Sequence, residues 1–191
     1  MVTGIRHFRA AALRLALAML AGLTMLSPWA GHSQAAAGTE QELKIAFLYN
    51  FAKFVEWPEK QLVSVEHVFS ICIIGNDKMH EMAGQLLRDK QIQGRKVVTY
   101  VPRSPEQIRK CQILFVDSSA TERIEGEWGV IGNAPILTVG ETESFVRQGG
   151  IIHFFVEEGT IRFAISPKAA ERAELKISSK LLKLGRIVEA E

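Results

Sequence analysis

Cysteine, histidine and long hydrophobic runs are all scarce in this chain, and each scarcity narrows what it can be. There are two cysteines, Cys72 and Cys111, with no C-x-x-C spacing, so a dithiol redox centre is not expected. Of the five histidines, His67, His80 and His153 lie beyond the N-terminal region, and none stands at metal-ligating spacing with a Cys, His or carboxylate. No metal is expected. The sequence has no G-x-S-x-G elbow, no G-K-[ST] phosphate loop and no glycine-rich dinucleotide turn, which removes the common signatures of hydrolases and nucleotide enzymes. No catalytic residue and no cofactor is assigned.

Acidic residues are missing from positions 1–37, which instead carry Arg6, Arg9 and Arg14 ahead of the apolar run Leu15–Leu26. That run is too short to span a bilayer, and small residues follow at Ser33-Gln34-Ala35 and Ala35-Ala36-Ala37. The pattern is that of a secretory signal peptide cleaved between Ala35 and Ala37. The expected organisation is therefore a leader over 1–37 and one domain over 38–191, exported and not inserted in a membrane after cleavage. Removing the leader takes three of the 23 Lys+Arg and none of the 21 Asp+Glu, which leaves 20 basic against 21 acidic residues. The basic character belongs to the leader, and a nucleic-acid partner loses its support.

In an oxidising compartment Cys72 and Cys111 are expected to pair across neighbouring strands of one sheet; two buried free thiols are the alternative.

What the chain has in abundance is alternation of short apolar runs with helical patterns. Leu43–Pro58 reads as a nearly all-round apolar helix, opened by a Thr39/Glu42 capping box and stopped by Pro58, with Asn50, Lys53 and Trp57 on one stripe. Strands are expected near 69–74, 97–101, 113–116 and 136–139, with a hairpin of 151–156 and 160–165 around Glu157-Glu158-Gly159. Helices are expected near 78–88, over a short stretch capped by Ser104 with Pro105 at its first position, near 118–124, over 141–148, and as an amphipathic C-terminal helix over 177–188. The fold class is α/β: a mixed, mostly parallel sheet with helices on its faces, a terminal β-hairpin and a C-terminal helix.

Asp117-Ser118-Ser119 ends a buried strand and reads as a helix cap; a hydrolase built on Asp117 or Ser118 is the competing use. Gly75-Asn76-Asp77-Lys78 reads as a turn and cap. Arg162 and the run Lys176-Ile177-Ser178-Ser179-Lys180 bring cations and hydroxyls close to a helix start, where an anion or merely an N-cap would fit. The last helix offers Leu181, Leu182, Leu184, Ile187 and Val188, more apolar surface than docking on a sheet requires.

The runs KIAFLYNFAKFVEWP (44–58), ICIIGND (71–77), QGRKVVTY (93–100), CQILFVDSS (111–119), ILTVGETESFVRQGGIIHFFVEEGTIRFAIS (136–166) and LKISSKLLKLGRIV (175–188) together resemble the YfiR family, in the family's order. The resemblance implies a non-enzymatic periplasmic negative regulator. Its partner would be the periplasmic sensing domain of a YfiN-type membrane diguanylate cyclase, whose cyclic di-GMP synthesis and biofilm output it would hold off. It also implies a Cys72–Cys111 disulfide, and a ligand pocket drawing on Trp57, Arg162, Lys176 and Ser178. A second cysteine pair of some members has no counterpart, since Val146 and Ala164 stand there. The partner interface is placed on Leu181, Leu184 and Ile187. A periplasmic protein that binds a nucleotide-like or aromatic anion is the alternative function, and a homodimer stays open.

Overall fold

All four residues of Ile113–Val116 are buried, and in Val68–Ile74 only Val68 is partly exposed. Strands without a polar face must be covered on both sides, which is the condition of a parallel sheet between helices. The computed structural model describes residues 34–59, 61 and 67–189, and the leader lies outside them apart from its last positions. Within it, β2 (Val68–Ile74), β4 (Arg95–Tyr100), β5 (Ile113–Val116), β6 (Leu137–Gly140) and β7 (Ile152–Glu157) run parallel in the order β4-β2-β5-β6-β7. The strand β8 (Thr160–Ile165) folds back antiparallel on β7, and the two-residue β10 (Arg186–Ile187) closes that edge parallel to β8. At the other edge the two-residue β3 (Gln91–Ile92) pairs antiparallel with β4. The turn between β7 and β8 has Glu158 at φ 51° and Gly159 at φ 72°, the left-handed pair that matches the twist of a two-residue hairpin.

The strand period of two sorts the core. Phe69, Ile71 and Ile73 face one side, with Phe115, Phe154 and Phe163; Cys72 and Ile74 face the other, with Leu114, Val116, Ile108 and Phe145. The first side is covered by α1 (Gln34–Phe51), and Met79 and Ala83, with Ala169 and Ala170, pack into the same cluster. Lys44 meets Glu141 just past β6, Phe47 and Phe51 pack on Phe154 and Phe163, and beyond the helix Trp57 packs edge-on against Phe69. The second side carries α3 (Pro105–Ile108), two 3-10 turns (Ser118–Ala120 and Glu122–Glu127), α4 (Trp128–Ile131) and α5 (Glu143–Arg147). Cys72 and Cys111 are disulfide-bonded with Cα atoms 5.9 Å apart, tying β2 to the segment that enters β5. The helix α2 (Asp77–Leu86) is capped by Asn76, whose Oδ1 accepts from the Met79 amide.

Several elements differ from the sequence-based expectation: the helix expected near 118–124 is two 3-10 turns, and neither β3 nor α4 is among the expected elements. The first helix begins at Gln34, so Thr39 lies within it, and it ends at Phe51, not at Trp57. Pro58 does more than stop it: by excluding helical backbone at Trp57 it favours extended chain, and Val55–Glu56 form β1, paired antiparallel with β9 (Lys176–Ile177). Asn50, Lys53 and Trp57 therefore share no helical stripe. The amphipathic helix expected over 177–188 is a single turn, α7 (Ser179–Leu182), between β9 and β10. Gly185 sets this limit, since a Cβ there would stand 2.7 Å from the Phe163 ring, and only glycine allows the chain so close. A helix absent from the expectation, α6 (Pro167–Arg172), is capped by Ser166 with Pro167 at its first position, the same signature that marks α3.

Candidate functional site

In an open parallel sheet ligands bind outside the carboxyl ends of the strands, where the strand order reverses. Here the chain goes from β2 outward to β4 and then returns to the other side of β2 as β5, so the reversal lies between β2 and β5. Side chains of the protein bond to one another across that crevice. Asn76 Nδ2 donates to Asp117 Oδ2 at 3.0 Å, and Ser119 Oγ donates to Asp117 Oδ1 at 2.7 Å. A Cβ on Gly75, at φ 94°, would collide with Ala120 at 2.6 Å.

The neighbouring strand end continues the network. Glu141 takes the Ser118 amide on one carboxylate oxygen and Lys44 Nζ on the other, at 2.9 and 2.7 Å, and Lys44 also binds Glu40. Burial works to lower the Lys44 pKa, but its hydrogen bonds and charge contacts with Glu141 and Glu40 outweigh it and hold the ammonium above its ordinary value. For Asp117 burial pushes upward, and the bonds from Ser119 and Asn76, with the nearby Lys44 charge, hold the carboxyl below its ordinary value. Both groups stay charged and are consumed in structural bonds. Asp117 serves Ser119 and Asn76 and caps the first 3-10 turn, and its neighbour Ser118 gives its amide to Glu141.

The four residues placed in a ligand pocket do not converge. Trp57, Lys176 and Ser178 lie together on the β1–β9 ribbon, where Glu56 pairs with Lys176 and the Ser178 amide donates to Phe54 O. Trp57 is 6% exposed with its indole N–H spent on Gln112 O at 3.2 Å, and Ser178 caps α7. Arg162 sits on β8 opposite Phe155, toward the hairpin tip that projects past the carboxyl ends of β5 and β6, whereas Trp57 lies at the amino ends. Register alone separates it from the other three.

The three residues assigned to an interface divide. Leu181 is 2% exposed and belongs to the core, because the single-turn helix presses it inward; it is not offered to a partner. Leu184 and Ile187 are 71% and 52% exposed, and two residues not anticipated join them, Val156 at 64% and Leu43 at 43%. Val156, Ile161 and Ile187 lie on the sheet face that α1 covers, where Ile161 packs partly against the core. An open groove of about 680 Å³ runs between Glu40, Glu42 and Leu43 of α1 and Val156, Gly159, Thr160 and Ile161 of the hairpin. The signal for Val156 was in the hairpin's own alternation of Ile152, Phe154 and Val156, which extends one step past the layer that buries the first two.

No curated protein matches the sequence. Among solved structures, a conserved domain protein from Vibrio cholerae O1 biovar El Tor is 15% identical with a TM-score of 0.45, covering 69% of this chain and 60% of its own. The ABC domain in complex with L-Trp from Streptococcus pneumonia is 13% identical with a TM-score of 0.44, covering 68% and 58%. The chain thus spans about three fifths of the length of these structures. The model of the YfiR/HmsC-like family matches residues 41–186, from the middle of α1 to the start of β10, and the chain belongs to that family, which is regulatory and not catalytic.

Proposed function

We propose that the chain is a periplasmic negative regulator, exported by cleavage of residues 1–37 and folded as one domain over 38–191. It binds the periplasmic sensing domain of a YfiN-type membrane diguanylate cyclase and represses cyclic di-GMP synthesis. Family membership supports a regulatory role in cyclic di-GMP signalling at the periplasmic side. Among the described residues no helix is long and apolar enough to cross a membrane.

The observation that carries the docking site is the exposure of Leu43 and Val156 along one open groove, with Ile187 exposed on the β10 edge of the same face and Leu184 exposed just before that edge. Exposed apolar side chains lining an open groove are what a partner buries. A two-residue edge strand also gives a partner backbone groups to pair with. At the strand ends where a doubly wound sheet would hold a substrate, Asn76, Asp117, Ser119 and Glu141 are bound to neighbouring groups of the protein. Deleting the gene is expected to raise cyclic di-GMP in cells that carry the cyclase and to leave it unchanged in cells that lack it. Equal levels in the first background, with the cyclase shown to be present, would rule the reading out.

A further inference from the structure

The groove between α1 and the β7–β8 hairpin joins an apolar floor to charge of one sign. Val156 and Ile161 stand opposite each other on β7 and β8, on the sheet face where α1 packs on Phe154 and Phe163. The groove lining holds the carboxylates of Glu40 and Glu42 and no cation. Glu158, exposed beside Gly159 at the hairpin tip, adds a carboxylate at the opposite rim. Strand alternation sends Arg162 and Arg186 to the other face of the sheet, and Arg186 is engaged by Glu157. On α1, Lys44 is divided between Glu40 and Glu141, and among the described residues neither Glu42 nor Glu158 has an ion pair.

Backbone chemistry and charge together select the occupant. Leu43, Val156 and Ile161 meet it with side chains, so an extended strand laid on them would press unpaired N–H and C=O groups onto apolar surface. A helix satisfies its backbone internally and presents side chains alone. It would also continue the layer that α1 begins on this face, since a sheet face buries its apolar residues under helices packed side by side. Carboxylates on both rims, with no free cation beside them, favour lysine or arginine at the edges of that helix. Resting on the reading that the partner is the cyclase's periplasmic domain, we propose that this groove takes a basic amphipathic helix of that domain. Its apolar residues, at three- and four-residue spacing, cover Leu43, Val156 and Ile161, and its basic residues face Glu42 and Glu158.

The test measures binding of the exported chain to the cyclase's periplasmic domain at low and at physiological ionic strength. Salt should weaken the unaltered pair. Glu42→Gln combined with Glu158→Asn should weaken it about tenfold at low ionic strength and remove most of the salt dependence. Glutamine keeps the helix propensity at position 42, and asparagine accepts the φ of 51° at position 158, so the melting temperature should be unchanged. A second measurement leaves both carboxylates in place: Thr160→p-benzoylphenylalanine sets a photocrosslinker on the groove wall. The crosslinked peptide of the cyclase domain should show apolar residues at helical spacing flanked by lysine or arginine. Unaltered affinity and salt dependence in the double variant, no crosslink, or a crosslink to an extended segment, an acidic segment or a second copy of this chain would each overturn the groove proposal while the cyclase domain still binds. Failure of the unaltered chain to bind that domain would instead overturn the partner reading, and this proposal with it.

Discussion

At the scale of single residues, caps were legible and long-range pairs were not. Asn76, Ser104, Asp117 and Ser178 each cap the element that follows them, as a small polar side chain ahead of a helical run should. Nothing in the sequence joins Lys44 to Glu141, 97 positions apart, because that pair exists only once α1 has packed on the sheet. Two titrating groups make the residue scale measurable. Burial holds the His153 pKa below its ordinary 6.5, with Arg186 and Arg147 adding to the effect and Glu143 opposing it. The unfolded chain then takes up protons first, so stability is unaffected above pH 6.5 and falls as the pH drops from there toward the lowered folded value. Asp117, also lowered, contributes stability above its ordinary 3.8 that is lost as the pH falls through the folded value. Melting temperature followed from pH 7.5 to 3 should therefore decline in two stages. His153→Phe should abolish the first stage and Asp117→Asn should reduce the second. An unchanged upper stage in His153→Phe would show that another group carries it.

At the scale of elements, the strands that became the sheet were legible because their burial on both faces makes short unbroken apolar runs, such as Ile113–Val116. The ends of the domain were not. Over 177–188 the apolar spacing fits a helix, yet the chain makes a two-residue strand, one turn and another two-residue strand. Pairing with Val55–Glu56 and with β8 supplies backbone partners that periodicity cannot register. Gly185 separates the two accounts by sign. If it lay in a helix, Gly185→Ala would stabilise the protein by about 1 kcal/mol. In the observed fold the new methyl group runs into the Phe163 ring, which Phe47 and Phe51 hold in place, so the variant should lose about 1–3 kcal/mol in urea unfolding.

At the scale of the whole molecule, the order of elements was enough to read a mostly parallel sheet closed by a hairpin, since strands separated by helices pair parallel and strands separated by a two-residue turn do not. What order could not reveal is how far each layer extends. The helix α1 packs on Phe154 and Phe163 but stands off from Val156 across an open groove, so Val156 on the hairpin and Ile187 on the β10 edge emerge from the core uncovered. This shape gives the interface reading a test in which folding and binding come apart. Leu181 and Leu184 are three residues apart on the same short turn, one buried and the other the most exposed large apolar side chain described. A glutamate at Leu181 places a charge in the core and should unfold the protein, whereas glutamate at Leu184 or Val156 meets water and should leave the melting temperature within about 2 °C. Against the cyclase's periplasmic domain the two exposed variants should bind at least tenfold more weakly, the loss expected when a charge enters an apolar contact. If Leu184→Glu and Val156→Glu fold and bind as the unaltered chain does, the partner docks elsewhere and the hairpin rim is not the interface.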